Sequence, residues 1–176
     1  PDDSIQITYA PTAIPRSDTA PSVQFRDPAV ARYASFAQDV MARMNAFRNA
    51  MQAADGRDER TAIADTFDWS PNRQRLKEAL RDDPPLAITN AYRTVYLAST
   101  LDPDSTVAKK MLATASASSP LWSFGGGALL RRTMYSTEEV GRYEDFAYEV
   151  LRETPSDDVR VITLSTLLRR AAKNDE

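Results

Sequence analysis

Cysteine and histidine are both absent from the 176 residues. Their absence removes disulfides, thiol nucleophiles, zinc sites of the usual kind, and every Ser-His or Cys-His arrangement. Glycine is scarce, with five residues, three of them consecutive at Gly125, Gly126 and Gly127. Hairpin-rich sheets need more turn glycines than that, so the count favours helices. No uninterrupted apolar run approaches the length of a membrane-spanning helix. There is also no surplus of positive charge: net charge is −3 and the pI is near 5.1, so nucleic acid is not an expected partner. Lys77, Lys109, Lys110 and Lys173 are the only lysines among 22 basic residues, which reads as a trait of the source genome.

What is present is enough to build a core. Apolar residues make up 42% of the chain, which argues against wholesale disorder. The length suits one domain, or one domain with an arm. Residues 1–27 read as an extended, proline-rich N-terminal arm. Pro11, Pro15 and Pro21 deny a helix its donors. Ile5, Ile7 and Tyr9 alternate as in a short strand, and Val23 and Phe25 are the expected anchors. Residues 28–176 read as a single α-helical domain.

Helix starts are written repeatedly as a capping residue followed by proline. Asp27-Pro28, Ser70-Pro71, Asp102-Pro103 and Ser119-Pro120 each have this form. Ser136 and Glu139 add a capping box, and Ser156 is expected to cap the last helix. The first helix carries Val30, Tyr33, Ala37, Val40, Met44, Phe47 and Met51 at alternating steps of three and four, a seam for lengthwise helix packing. Gly56 is expected to supply its left-handed cap. A weaker helix over 58–67 turns Ile63 and Phe67 inward. Later stripes use Leu76, Ala79 and Leu80, then Leu86, Tyr92, Val95, Tyr96 and Leu101. Val107, Met111, Leu112 and Ala115 follow, and finally Val159, Ile162, Leu167 and Leu168. Expected starts at 70, 102 and 136 have the spacing of a tetratricopeptide-like hairpin. The fold class is therefore all-α: an irregular array of helical hairpins, either a degenerate tetratricopeptide-like solenoid or a bundle.

Four features are candidates for function. The Gly125–Gly127 run lacks the strand before it and the Lys-Ser after it that phosphate loops need, so it is expected to be a hinge or a close approach of helices. The acidic set Asp55, Asp58, Glu59, Asp65, Asp68, Asp82 and Asp83 does not match a calcium loop and reads as solvated surface. Tyr96, Trp122, Phe124 and Tyr148 form the candidate interaction surface, because aromatics dominate binding hot spots and stacked hairpins make concave surfaces. Arg131-Arg132 and Arg169-Arg170 complement helix C-termini. No cofactor or metal is expected.

From Tyr92 onward the chain carries Leu101-Asp-Pro-Asp104, a helix with Ala108 and Leu112, and Ser119-Pro-Leu-Trp122. Tyr143-Glu-Asp-Phe146, Pro155 and the run from Asp158-Val-Arg160 to Arg170-Ala-Ala-Lys173 follow. This half of the chain resembles the helical segments that precede the catalytic domain in exported bacterial thiol–disulfide oxidoreductases of the thioredoxin superfamily, the TlpA-like group. The resemblance implies export, to the periplasm or anchored at the cell surface, with a cytoplasmic location as the alternative, and an accessory role beside a catalytic domain beyond Glu176 or on another chain. The Trp-Cys-x-x-Cys motif of that family has no counterpart here, so no redox residue carries over. The function expected is thus a non-enzymatic interaction or accessory domain with a protein or peptide partner. A structural, oligomerising module built on the Val30–Met51 seam and a carboxylate-dependent enzyme are the alternatives.

Overall fold

In a computed structural model the described residues are 6–7, 23–24, 27–102, 104–125, 127–135 and 140–174. Within the arm, β1 (Gln6–Ile7) pairs antiparallel with β2 (Val23–Gln24), Gln6 opposite Gln24. The other described elements are helices: α1 (Pro28–Ala53), α2 (Arg57–Thr66), α3 (Ser70–Ala79) and α4 (Leu86–Ala98). Then come α5 (Thr106–Thr114), a 310 turn (Pro120–Ser123), α6 (Ala128–Tyr135), α7 (Val140–Glu153) and α8 (Asp157–Asn174). The all-α class read from the sequence is the class observed.

The helices form a stepped array. α1 packs on α2, α3 and α4; α4 on α5 and α6; α6 on α8, which pairs with α7. Three hairpins, α3–α4, α5–α6 and α7–α8, thus join side to side through α4, α6 and α8. Asp27 caps α1 as expected, its carboxylate accepting from the Ala29 amide at 2.7 Å with Pro28 in the first turn. Ser119 likewise accepts from the Leu121 amide at 3.3 Å, and Ser156 from that of Val159 at 3.4 Å. Side-chain caps satisfy amides that the first turn leaves without an intrahelical partner.

Val40 is 0% exposed, and Phe36, Tyr92, Tyr96, Met111, Trp122, Leu130, Met134, Val150 and Val159 join it in one core. A satellite cluster of Met44, Phe47 and Trp69 sits under α2 with Ile63 and Phe67. Arg43 closes it, its guanidinium 4.7 Å from the Phe67 ring and donating to the Asp68 carbonyl at 2.6 Å. The Val30–Met51 seam is therefore used within the chain over Val40, Met44 and Phe47. Buried Asn72 ties α3 to α1 and to the end of α4 by donating to the carbonyls of Val40 and Ser99.

Several expected boundaries move. Gly56 is extended at φ −160° and precedes α2, while α1 ends at Ala53 with an extended Ala54 as its C-cap, so no left-handed cap is used there. α5 starts at Thr106 instead of Asp102, because Asp102 is drawn into the core and Asp104 takes over the turn, accepting from the Thr106 amide at 2.8 Å. Leu86, Leu101 and Leu168, all expected inside, are 54%, 50% and 62% exposed; Leu86 is the first residue of α4. Leu101 falls past the end of α4, and Leu168 lies on the outer face of α8. The capping box at Ser136 and Glu139, the alternating residues Ile5 and Tyr9, and the arm anchor Phe25 lie outside the described residues.

Candidate interaction groove

Among the described residues a concavity of about 870 Å³ opens between the start of α1, the end of α3 and the start of α4. Asp83 adopts φ 44°, reversing the chain after α3. Pro84 and Pro85 then wall the groove, and the Pro84 carbonyl is held by the Thr89 hydroxyl at 2.9 Å. On the floor, Tyr92 meets Tyr33 edge-on at 5.4 Å between ring centroids and Phe36 at 4.9 Å. Burial pushes the Tyr33 hydroxyl above its ordinary pKa, with neighbouring Tyr92 adding to the effect. Val30 and Ile88 stand exposed on the two sides, 38% and 42% accessible. The rim is mixed in charge: Asp27, Arg32, Arg75, Glu78 and Asp82. Arg75 is committed to Asp39 and, at 3.2 Å, to Glu78; the Asp39 hydrogen bond leads in raising its pKa. The groove thus has an aromatic floor, proline walls and a rim of mixed charge.

A second cluster gathers around a buried carboxylate. The Tyr96 hydroxyl donates to the Asp102 carboxylate at 2.6 Å, and the Asp102 side chain is 1% exposed. Arg73 pairs with the same carboxylate at 3.4 Å, and the Asp104 amide donates to its other oxygen at 3.0 Å. Burial, then the hydrogen bond to Asp102, drives the Tyr96 pKa far upward, so the phenol stays protonated. Arg132 of α6 lies near the same carboxylate, and desolvation brings its pKa down to about 10 against the attraction of Asp102. With both oxygens engaged, Asp102 acts as a bolt between α3, α4 and the loop into α5.

The four aromatics expected on an interaction surface separate into two pairs. Tyr96 and Trp122 are 0% exposed and are corrected to core residues. Trp122 donates its indole N–H to the Ser116 carbonyl at 2.7 Å and meets Phe146 edge-on at 5.6 Å. Phe124 and Tyr148 are 48% and 60% exposed. Gly125 and Gly127 have φ of 63° and 76°, and a Cβ on Gly127 would stand 3.1 Å from Ile162 Cδ1. The glycine run is thus a close approach of the start of α6 to α8; Gly126 lies outside the described residues. The acidic set from Asp55 to Asp83 is exposed throughout, and among the described residues no group of acidic side chains gathers as a metal site. Also among the described residues, no helix is long and apolar enough to cross a membrane.

Residue-type reasoning missed the groove. Its signal was the apolar residues at 30 and 88, beside Pro84-Pro85. No family model, curated protein or solved structure matches the chain.

Proposed function

We propose that this chain is a non-enzymatic protein-interaction domain that receives an extended, apolar, proline-bearing peptide segment in the α1–α3–α4 groove. The observation that carries the reading is the edge-stacked floor of Tyr33, Phe36 and Tyr92 under walls of Pro84 and Pro85. Polyproline-type segments are preordered and dock in aromatic grooves at low entropic cost. Exposed Val30 and Ile88 supply apolar area at the mouth, and the rim charges are too evenly mixed to select a strongly charged ligand.

The test is fluorescence polarisation with arrayed synthetic apolar peptides, with and without proline. Wild-type protein binds the proline-bearing set, and Val30→Asp or Ile88→Asp weakens binding about tenfold or more, equivalent to ~1.4 kcal/mol. Failure of every peptide to bind, or equal binding by the variants, overturns the reading.

An accessory position in an exported thioredoxin-like protein belongs to the same proposal and rests on the resemblance of the segment from Tyr92 onward. Native peptides continuing past Glu176 into a Cys-x-x-Cys domain would support it.

A further inference from the structure

The hydrogen-bonding groups around the groove are unequally engaged. Most of its acceptors are taken within the chain. The Pro84 carbonyl receives the Thr89 hydroxyl and the Pro85 carbonyl the Thr89 amide, both at 2.9 Å. On the rim, Asp27 accepts from the Ala29 amide, and Glu78 from Gln74 and Arg75. Asp82, exposed on the rim, is the groove carboxylate left without a partner among the described residues. The donors, by contrast, are free. Tyr92 is 6% exposed, yet among the described residues neither its hydroxyl nor that of Tyr33 has a hydrogen-bond partner. Both rings line the groove. The first turn of α4, beside Pro85, has no side-chain cap, so its leading amides are donors as well. A buried polar group without a partner is costly and calls for an explanation.

That balance selects against ordinary peptide backbone. Every secondary amide carries an N–H, which on this floor would lose water without meeting an acceptor. A prolyl amide has no N–H, and its carbonyl only accepts. In polyproline II the carbonyls make no internal hydrogen bonds, so they are available to a partner. One turn of that helix is about 9 Å long. The ring centroids of Tyr33 and Tyr92 are 5.4 Å apart, so a single turn can offer carbonyls to both phenols. We infer that the hydroxyls of Tyr33 and Tyr92 are the specificity-determining donors of the groove, each donating to a backbone carbonyl of a segment whose amides are tertiary. This selectivity rests on the peptide-binding reading of the groove and adds what is read there, the missing N–H ahead of the prolyl ring.

Fluorescence polarisation of the full chain with three otherwise identical apolar peptides tests it. One carries proline, one has N-methylalanine at each proline position, and one has alanine there. The first two should bind within about threefold of each other, and the alanine peptide about tenfold or more weaker. Tyr33→Phe and Tyr92→Phe each remove one oxygen and keep the ring, and each should weaken the proline peptide about fivefold. Without peptide, Tyr92→Phe should melt at or above the wild-type temperature, because it deletes a buried hydroxyl that has no partner. Equal binding of the proline and alanine peptides, or full affinity in either phenylalanine variant, overturns the inference. The groove itself then stands if Val30→Asp and Ile88→Asp still weaken binding. An N-methylalanine peptide as weak as the alanine one also overturns it, since the ring would then be what is read. So does a Tyr92→Phe melt well below wild type, which would give the hydroxyl an internal partner. Binding of no peptide overturns the groove reading and the hydroxyl assignment together.

Discussion

Tyr96 and Asp102 lie six residues apart in sequence and meet at 2.6 Å, phenol against carboxylate, where the carboxylate side chain is 1% exposed. The contact turns the chain back on itself at the end of α4. Removing the carboxylate leaves the phenol buried without its acceptor. Asp102→Ala should therefore destabilise by about 1–3 kcal/mol, the cost of a buried polar group left unpaired. The ion pair contributes less, because Arg73 is 47% exposed and regains water. Tyr96→Phe should cost less than Asp102→Ala, since Asp102 keeps Arg73 and the Asp104 amide. Urea unfolding of the two variants and the double mutant measures both values and the coupling.

Gly127 is held at φ 76° with Ile162 against it. Gly127→Ala brings left-handed strain of about 1–2 kcal/mol and adds a contact at 3.1 Å. Gly56→Ala meets open space on an extended backbone and should be neutral or slightly stabilising. Thermal melts of the two variants should separate in opposite directions or by several degrees.

Trp122 and Phe124 are two residues apart and differ in burial, 0% against 48%. Trp122→Ala should cost about 3–5 kcal/mol through the cavity it leaves. Phe124→Ala should stay within about 1 kcal/mol. Denaturant midpoints decide this directly, and equal losses would contradict the burial seen.

Asp68, Glu78 and Asp104 have carboxyls held below their ordinary pKa, led by hydrogen bonds from Ser70, Gln74 and Thr106 respectively. The unfolded chain takes up protons first, near pH 4, so unfolding binds protons there. Stability from these groups is present above that range and is lost as pH falls through the lowered folded values. Urea midpoints measured from neutral into acid should fall, and Asp104→Asn should make the fall shallower.

Much of the helical order was legible locally. Asp27-Pro28 and Ser119-Pro120 begin elements because a side-chain oxygen and a prolyl ring each act within a few residues. The same logic misplaced α5, since Asp102-Pro103 has the form of a cap but Asp102 is taken by Tyr96 and Arg73. Exposure was less legible. Tyr96 looked like a surface aromatic and Leu168 like a core leucine, and each is the reverse. A helix apolar on two sides does not say which side faces inward.

The amino-acid order by itself determined the all-α class, the scarcity of turns, and the absence of thiol and imidazole chemistry. These depend on composition and on periodicity within a few turns of helix. Tertiary structure alone decided that Tyr33, Phe36, Tyr92 and Pro84 share one groove, that Asp102 is an internal bolt, and that α8 keeps an apolar face outward. Each of these depends on which helices lie side by side, and that arrangement is settled by packing the whole core at once.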